Sequence, residues 1–184
     1  GITNAGNFST DGGTIKLDGN YPTGTCNVAL GDNALSNGSL SGDFNTAVGT
    51  NALLANTSAD GNTAIGRSSL CSNTTGNCNT GLGMNALLGN TEGFGNVAVG
   101  RSSMVANTTG DNNVAVGQNS LVSNTTADNN TAVGTCALNA NTTGSENTAV
   151  GHESLKANTT GAKNTVVGKN AGSAITTGTF NDIF

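Results

Sequence analysis

Aliphatic residues return along this chain at a fixed interval. Leu30, Val48, Ile65, Leu82, Val99, Val116, Val133, Val150 and Val167 form one series. Leu35, Leu53, Leu70, Leu87, Met104, Leu121, Leu138 and Leu155 form a second, which lapses to Gly172. The step is seventeen residues in both, after a first step of eighteen. Asparagine keeps the same beat at Asn45, Asn62, Asn79, Asn96, Asn113, Asn130, Asn147 and Asn164, with Asn27 opening a first copy and Asn181 continuing the series. A long-range period of this kind marks a repeat architecture and takes precedence over any local reading. The consensus is N-T-A-V-G-x-x-A-L-x-x-N-T-T-G-x-x, and its positions are treated below as columns 1 to 17.

The columns predict elements. Columns 2 (Thr or Val) and 4 (aliphatic) share one face of a short strand at period two. With the ninth-column leucines they are the expected interior. Column 3 is Ala29, Ala47, Ala64, Ala98, Ala115, Ala132 and Ala149 in most copies. If its neighbours face inward, it faces outward, against either another chain or a crowded corner of its own coil. Column 6 runs Asp32, Thr50, Arg67, Met84, Arg101, Gln118, Thr135, His152, Lys169, a variety that only a water-facing position accepts. Column 5 is always Gly, as at a corner requiring positive φ. The "ANTTG" segments supply turn chemistry. Two short strands and two turns per repeat describe a coil of an all-β, parallel β-solenoid. Helical solenoids need repeats of about thirty residues or more. Residues 27–184 are the expected solenoid, eight to nine coils stacked to roughly 40 Å and truncated in the last coil. Residues 1–26 are a lead-in or cap, with "TIKL" extended and Asp18-Gly19-Asn20 turning. Stacked first-column asparagines form an amide ladder along the axis. The twelfth-column asparagines suit either a second ladder or simple turns.

The "NTAVGxxAL" core resembles the "SVAIGxxAxA" repeats in the heads of trimeric autotransporter adhesins, which are left-handed parallel β-rolls of three chains. The longer form with "NTTG", and the opening "GTIKLDGNYPTGTCNVALGDNAL", resemble repeats of bacteriophage tail fibres and related virion proteins. The resemblance covers nearly the whole chain. It implies a left-handed β-roll, a homotrimer or higher assembly, and a place in a virion tail fibre or on a cell surface. Stopping at "NDIF", partway through a repeat, suits a segment of a longer protein. Architecture of this kind carries many functions.

Composition narrows the field. Only 9% of residues are charged, the net charge is −5, and there is one Pro and no Trp. No basic stripe suits nucleic acid. No apolar run reaches the roughly eighteen residues of a membrane span, so neither nucleic acid nor membrane insertion is an expected partner. The single His, His152, stands in the variable sixth column with no ligand-spaced partner. Asp60, Asp111 and Asp128 follow the turns, but without the nonapeptide calcium pattern. No Ser or Thr has a His/Asp arrangement to activate it. The chain therefore reads as a non-enzyme without cofactor or metal.

Cys26 and Cys78 share column 17 about three coils apart, roughly 14 Å, too far to bond. Cys71 and Cys78 flank "SNTTGN" and are a possible disulfide in an oxidising environment. Cys136 has no evident partner, and each cysteine defaults to a small buried hydrophobe. Asn56, Asn73, Asn107, Asn124, Asn141 and Asn158 begin N-x-S/T acceptor triplets. They are either turn chemistry that matches the pattern or a possible row of glycans along one edge.

The functional expectation is a structural and adhesive fibre segment, part of a viral tail or host-attachment fibre. Its partners are copies of itself and a cell-surface glycan or receptor. The alternatives are a bacterial or archaeal adhesin or extracellular filament subunit, and an ice-binding solenoid. For ice, the second-column threonines are interrupted by Val28, Val97 and Val114. A β-helical polysaccharide-degrading enzyme would need a recurring acidic or basic cluster on one sheet, which the columns lack.

Overall fold

A computed structural model describes residues 9–10, 13–14 and 26–184. Two short strands, β1 (Ser9–Thr10) and β2 (Gly13–Thr14), pair antiparallel. The expected extension over Ile15–Leu17 and the Asp18-Gly19-Asn20 turn lie outside the described residues. Ten further strands follow: β3 Val28–Leu30, β4 Thr46–Val48, β5 Thr63–Ile65, β6 Thr80–Leu82, β7 Val97–Val99, β8 Val114–Val116, β9 Thr131–Val133, β10 Thr148–Val150, β11 Thr165–Val167 and β12 Asp182–Ile183. They form one parallel sheet in strict sequence order. Each residue pairs with its own column in the next coil, as in Thr131↔Thr148, Ala132↔Ala149 and Val133↔Val150. The chain is thus a parallel β-solenoid, and among the described residues there is no helix. The extra residue of the first copy is absorbed before β4, so Val28 still meets Thr46.

Each coil carries one strand rather than the two expected. Over the "AL" segment the chain turns, because columns 7 and 9 both adopt left-handed backbone: Asn119 has φ 54° and Leu121 φ 48°. A left-handed leucine costs roughly 1–2 kcal/mol. Fully burying that side chain returns about 1.5–3 kcal/mol. Every ninth-column Leu or Met is fully buried. The backbone there still bonds from coil to coil, as in Leu121 N–H to Ala137 O at 3.0 Å. Left-handed turns therefore replace the second strand without giving up axial hydrogen bonding.

The strand faces are the reverse of the expectation. Column 3 is the buried one: Ala47, Ala64, Ala98, Ala115, Ala132, Ala149 and Val166 are fully buried. Column 4 turns outward, with Ile65 39% and Leu82 43% exposed. The reason is space. A Cβ added to Gly81, the third-column residue of its coil, would stand 2.4 Å from Ser69 Oγ and 3.5 Å from Leu70 Cδ1. Opposite a leucine and a small eighth-column residue, the interior is a methyl group deep. The core is accordingly a stack of Ala and Leu, with Ala52, Ala86 and Ala137 of column 8 beside them. Where column 8 is serine its hydroxyl is satisfied, as in Ser69 Oγ to Gly81 O at 2.8 Å and Ser103 Oγ to Ala115 O at 3.0 Å.

Candidate functional site

The repeat places four side-chain systems along the axis. In column 1, each asparagine's Oδ1 accepts the backbone N–H of the next coil's asparagine: Asn62 N to Asn45 Oδ1 at 2.9 Å, Asn79 to Asn62 at 2.8 Å, Asn96 to Asn79 at 2.9 Å, Asn113 to Asn96 at 3.0 Å. The series continues through Asn130, Asn147 and Asn164 to Asn181. The Nδ2 groups of Asn45, Asn79, Asn96, Asn113, Asn147 and Asn164 reach across the coil, as from Asn113 to Ala127 O at 2.8 Å. One side chain thus ties a strand's entry to the coil before it and to the turn that closes its own coil.

Column 12 forms a second amide ladder. Asn107 Nδ2 donates to Asn90 Oδ1 at 2.7 Å, Asn124 to Asn107 at 2.8 Å, Asn141 to Asn124 at 3.1 Å and Asn158 to Asn141 at 2.9 Å. Each also closes its own turn, as from Asn124 Nδ2 to Ala127 O at 3.0 Å. Column 13 adds a hydroxyl ladder, with Thr108 Oγ1 donating to Thr125 O at 3.0 Å and Thr142 Oγ1 to Thr159 O at 3.0 Å. In column 16 the turn aspartates serve the backbone: Asp60 Oδ1 accepts from Asp43 N–H at 2.7 Å, Asp111 from Phe94 at 2.9 Å and Asp128 from Asp111 at 2.8 Å. The thirteenth- and sixteenth-column ladders and the eighth-column serines escaped sequence reading. Only the thirteenth column, threonine from Thr57 to Thr176, signals itself by repetition; columns 8 and 16 mix polar and apolar residues.

The six acceptor-triplet asparagines, Asn56, Asn73, Asn107, Asn124, Asn141 and Asn158, are fully buried. A row of glycans along one edge has no attachment point on the folded chain. All four cysteines are free thiols, so the Cys71–Cys78 bridge is not formed. The two stand in different columns, and between them the chain turns inward at buried Asn73. Burial pushes the Cys71 thiol up, which lowers its reactivity. Cys26 and Cys78 are exposed, not buried, because column 17 lies at an outer corner. His152 is exposed as well. Among the described residues no three His, Cys, Asp or Glu side chains converge to hold a metal ion. No helix among them is long and apolar enough to cross a membrane.

The remaining feature is the outer face of the sheet. Columns 2 and 4 present only Thr, Val, Ile and Leu from Val28 to Val167. Val28, Ile65, Leu82, Val116, Val133 and Val167 are all exposed. Charged residues stand to one side in column 6, at Arg67, Arg101 and Lys169. Nine coils at the usual strand spacing make this uncharged stripe roughly 40 Å long. Compared with protein-family models, with curated proteins and with solved structures, the chain gives no significant match to any of them.

Proposed function

We propose that this chain is a structural fibre segment, a stiff rod that associates side by side with copies of itself through the outer face of its sheet. The observation that carries this reading is the set of axial ladders, of which the first-column asparagines run without a break from Asn27 to Asn181 and hold one coil on the next. A repeat of this kind builds length and rigidity at a cost that grows only linearly, since each coil contacts its neighbours alone. The exposed Val/Thr stripe supports self-association, because apolar surface on this scale marks contact sites. A homotrimer and a place in a viral tail or host-attachment fibre follow from the sequence resemblance. So does adhesion to a cell-surface glycan or receptor.

Sedimentation of the parent chain against Val116→Asp/Val133→Asp tests the assembly. We expect an oligomer for the parent and a monomer for the variant, with unchanged circular dichroism, since both side chains already face water. A monomeric parent at micromolar concentration defeats the side-by-side reading. The owner is tested by antibodies to the chain: labelling along fibres of virus particles supports the viral fibre, and labelling of the producing cell's own surface replaces it with a cellular adhesin.

A further inference from the structure

We infer that N-glycosylation and folding exclude one another in this chain, so that the native protein forms with its six twelfth-column acceptor triplets unmodified. The triplets begin at Asn56, Asn73, Asn107, Asn124, Asn141 and Asn158, in register with the repeat. In the fold each triplet is split. The hydroxyl residue two positions on (Ser58, Thr75, Thr109, Thr126, Thr143 or Thr160) is exposed, while the acceptor amide is fully buried.

Both amide hydrogens of the inner asparagines are already committed. Asn107 Nδ2 donates to Asn90 Oδ1 and to Gly110 O, and Asn141 Nδ2 to Asn124 Oδ1 and to Gly144 O. Glycosylation joins Nδ2 to the anomeric carbon of an oligosaccharide carried on a lipid pyrophosphate. The carbon's bond to the pyrophosphate oxygen breaks, the lipid pyrophosphate leaves and Nδ2 gives up a proton. One N–H then remains where two acceptors wait: Gly110 O keeps its bond from Asn96 Nδ2, but at Asn141 either Asn124 Oδ1 or Gly144 O loses its donor, and an unpaired buried acceptor is costly.

Space closes the case. A methyl group on Gly93, Gly110 or Gly144 would stand 2.6 Å from Asn90 Oδ1, 2.6 Å from Asn107 Oδ1 or 2.7 Å from Asn141 Oδ1, and beside Asn56 and Asn124 the same column holds only the buried methyls of Ala59 and Ala127. A sugar cannot enter that column. Conversely, the transferase needs an accessible amide, which only the unfolded chain offers. Whichever event comes first therefore prevents the other, and the chain must fold out of reach of such a transferase. Asn129, whose triplet is Asn129-Asn130-Thr131, is exposed at a corner and serves as an internal control.

The test is secretion from a glycosylating eukaryotic cell of the parent and of a variant that removes the exposed hydroxyls: Ser58→Ala, Thr75→Ala, Thr109→Ala, Thr126→Ala, Thr143→Ala and Thr160→Ala. Folded yield is read by protease resistance and site occupancy by mass spectrometry. We expect at least a tenfold higher folded yield for the variant. The parent's unfolded fraction should carry glycans at the six sites and its folded fraction none, with or without a glycan at Asn129. Both chains made in a bacterial cytoplasm should fold equally, which separates glycosylation from any structural effect of the alanines. Folded parent carrying a glycan at any of the six overturns the inference, as does an equal folded yield of the two chains from the glycosylating cell.

Discussion

The coil 113–129 and the coil 164–180 occupy the same fold with different interiors. The first has Ala115, Leu121 and Asn124 in columns 3, 9 and 12, and the second has Val166, Gly172 and Ile175. The leucine lost at column 9 is replaced by branched side chains from two other columns. Leu155 Cδ2, Val166 Cγ1 and Ile175 Cδ1 stand 3.3, 3.3 and 3.4 Å from where a Cβ on Gly172 would be. Gly172 also relieves the left-handed strain that the leucines carry, at φ 58°. The interior volume is thus held in common by three columns, as close packing demands. The exchange has a polar consequence. Ile175 ends the twelfth-column ladder, and Asn158 Oδ1 is left buried without a partner. At the other end Leu40 holds the equivalent place, since Ser41 after it donates through N–H and Oγ to Thr57 O as Thr57 does to Thr74 O. The second ladder is therefore bounded by aliphatic residues on both sides, while the first runs on to Asn181.

The sharpest break in this comparison is at the fifth-column corner. A Cβ on Gly117 would stand 2.6 Å from Gly134 C and O, whereas one on Gly168 would meet only Ala171 Cβ at 3.4 Å. Both glycines have positive φ, 137° and 136°, so backbone strain of about 1–3 kcal/mol is common to the two. Thermal melts should find Gly117→Ala far more damaging than Gly168→Ala, the difference being the stacking clash alone. Equal losses would mean that the coils do not stack as closely as the corner requires.

Next in size is the ninth column. Leu121→Ala should cost about 2–5 kcal/mol, since it empties a fully buried position. Gly172→Leu should also destabilise, by about 1–3 kcal/mol, because Ile175 already fills the space. The double variant Gly172→Leu/Ile175→Asn should recover most of that loss, and its new amide would give Asn158 Oδ1 its donor. Denaturant titration of the singles and the double yields a coupling energy of the favourable sign. An additive result would refute the shared volume.

A smaller contrast lies within the second ladder. Asn124→Ala strands Asn107 Oδ1 and one N–H of Asn141 Nδ2, while Ala127 O keeps its bond from Asn113 Nδ2. Each buried group so orphaned costs about 1–3 kcal/mol. Asn158→Ala strands only Asn141 Oδ1, since Gly161 O keeps its bond from Asn147 Nδ2, and it also removes an already orphaned oxygen. Melts should therefore rank Asn124→Ala as the worse of the two.

The smallest effect belongs to the surface. Lys156 Nζ donates to Glu153 Oε1 at 2.6 Å. That bond holds the Glu153 carboxyl below its ordinary range and the Lys156 ammonium above its own. A depressed carboxylate contributes stability above its unfolded value, and that contribution fades as acid protonates it through the lower folded value. Lys156→Ala should flatten this slight acid dependence in melts taken below neutral pH and change little else.

The architecture was legible because a solenoid writes its period directly into the chain: each residue stacks on its own column, so a column that must stack on itself keeps one residue type. The invariant Asn of column 1, the Gly of column 5 and the Leu of column 9 are of this kind. Column 9 was identified as interior from its chemistry alone. The twelfth column stayed open between ladder and turn because asparagine serves both, and in the fold Asn124 does both at once.

By itself the sequence determined the seventeen-residue step, the parallel stacking, the corners and the division of columns 2 to 4 between two faces. Period two says that Val114 and Val116 share a side and that Ala115 takes the other; it does not say which side is in. Hydrophobicity favoured the valines. The tertiary structure decided for Ala115, because leucine and asparagine columns already fill the coil and leave the strand only a methyl's depth. The same crowding carried the twelfth-column asparagines inside, and it made turns of the segment expected to be a second strand. Those outcomes depend on how much volume the other columns occupy, a quantity that no single column of the repeat contains.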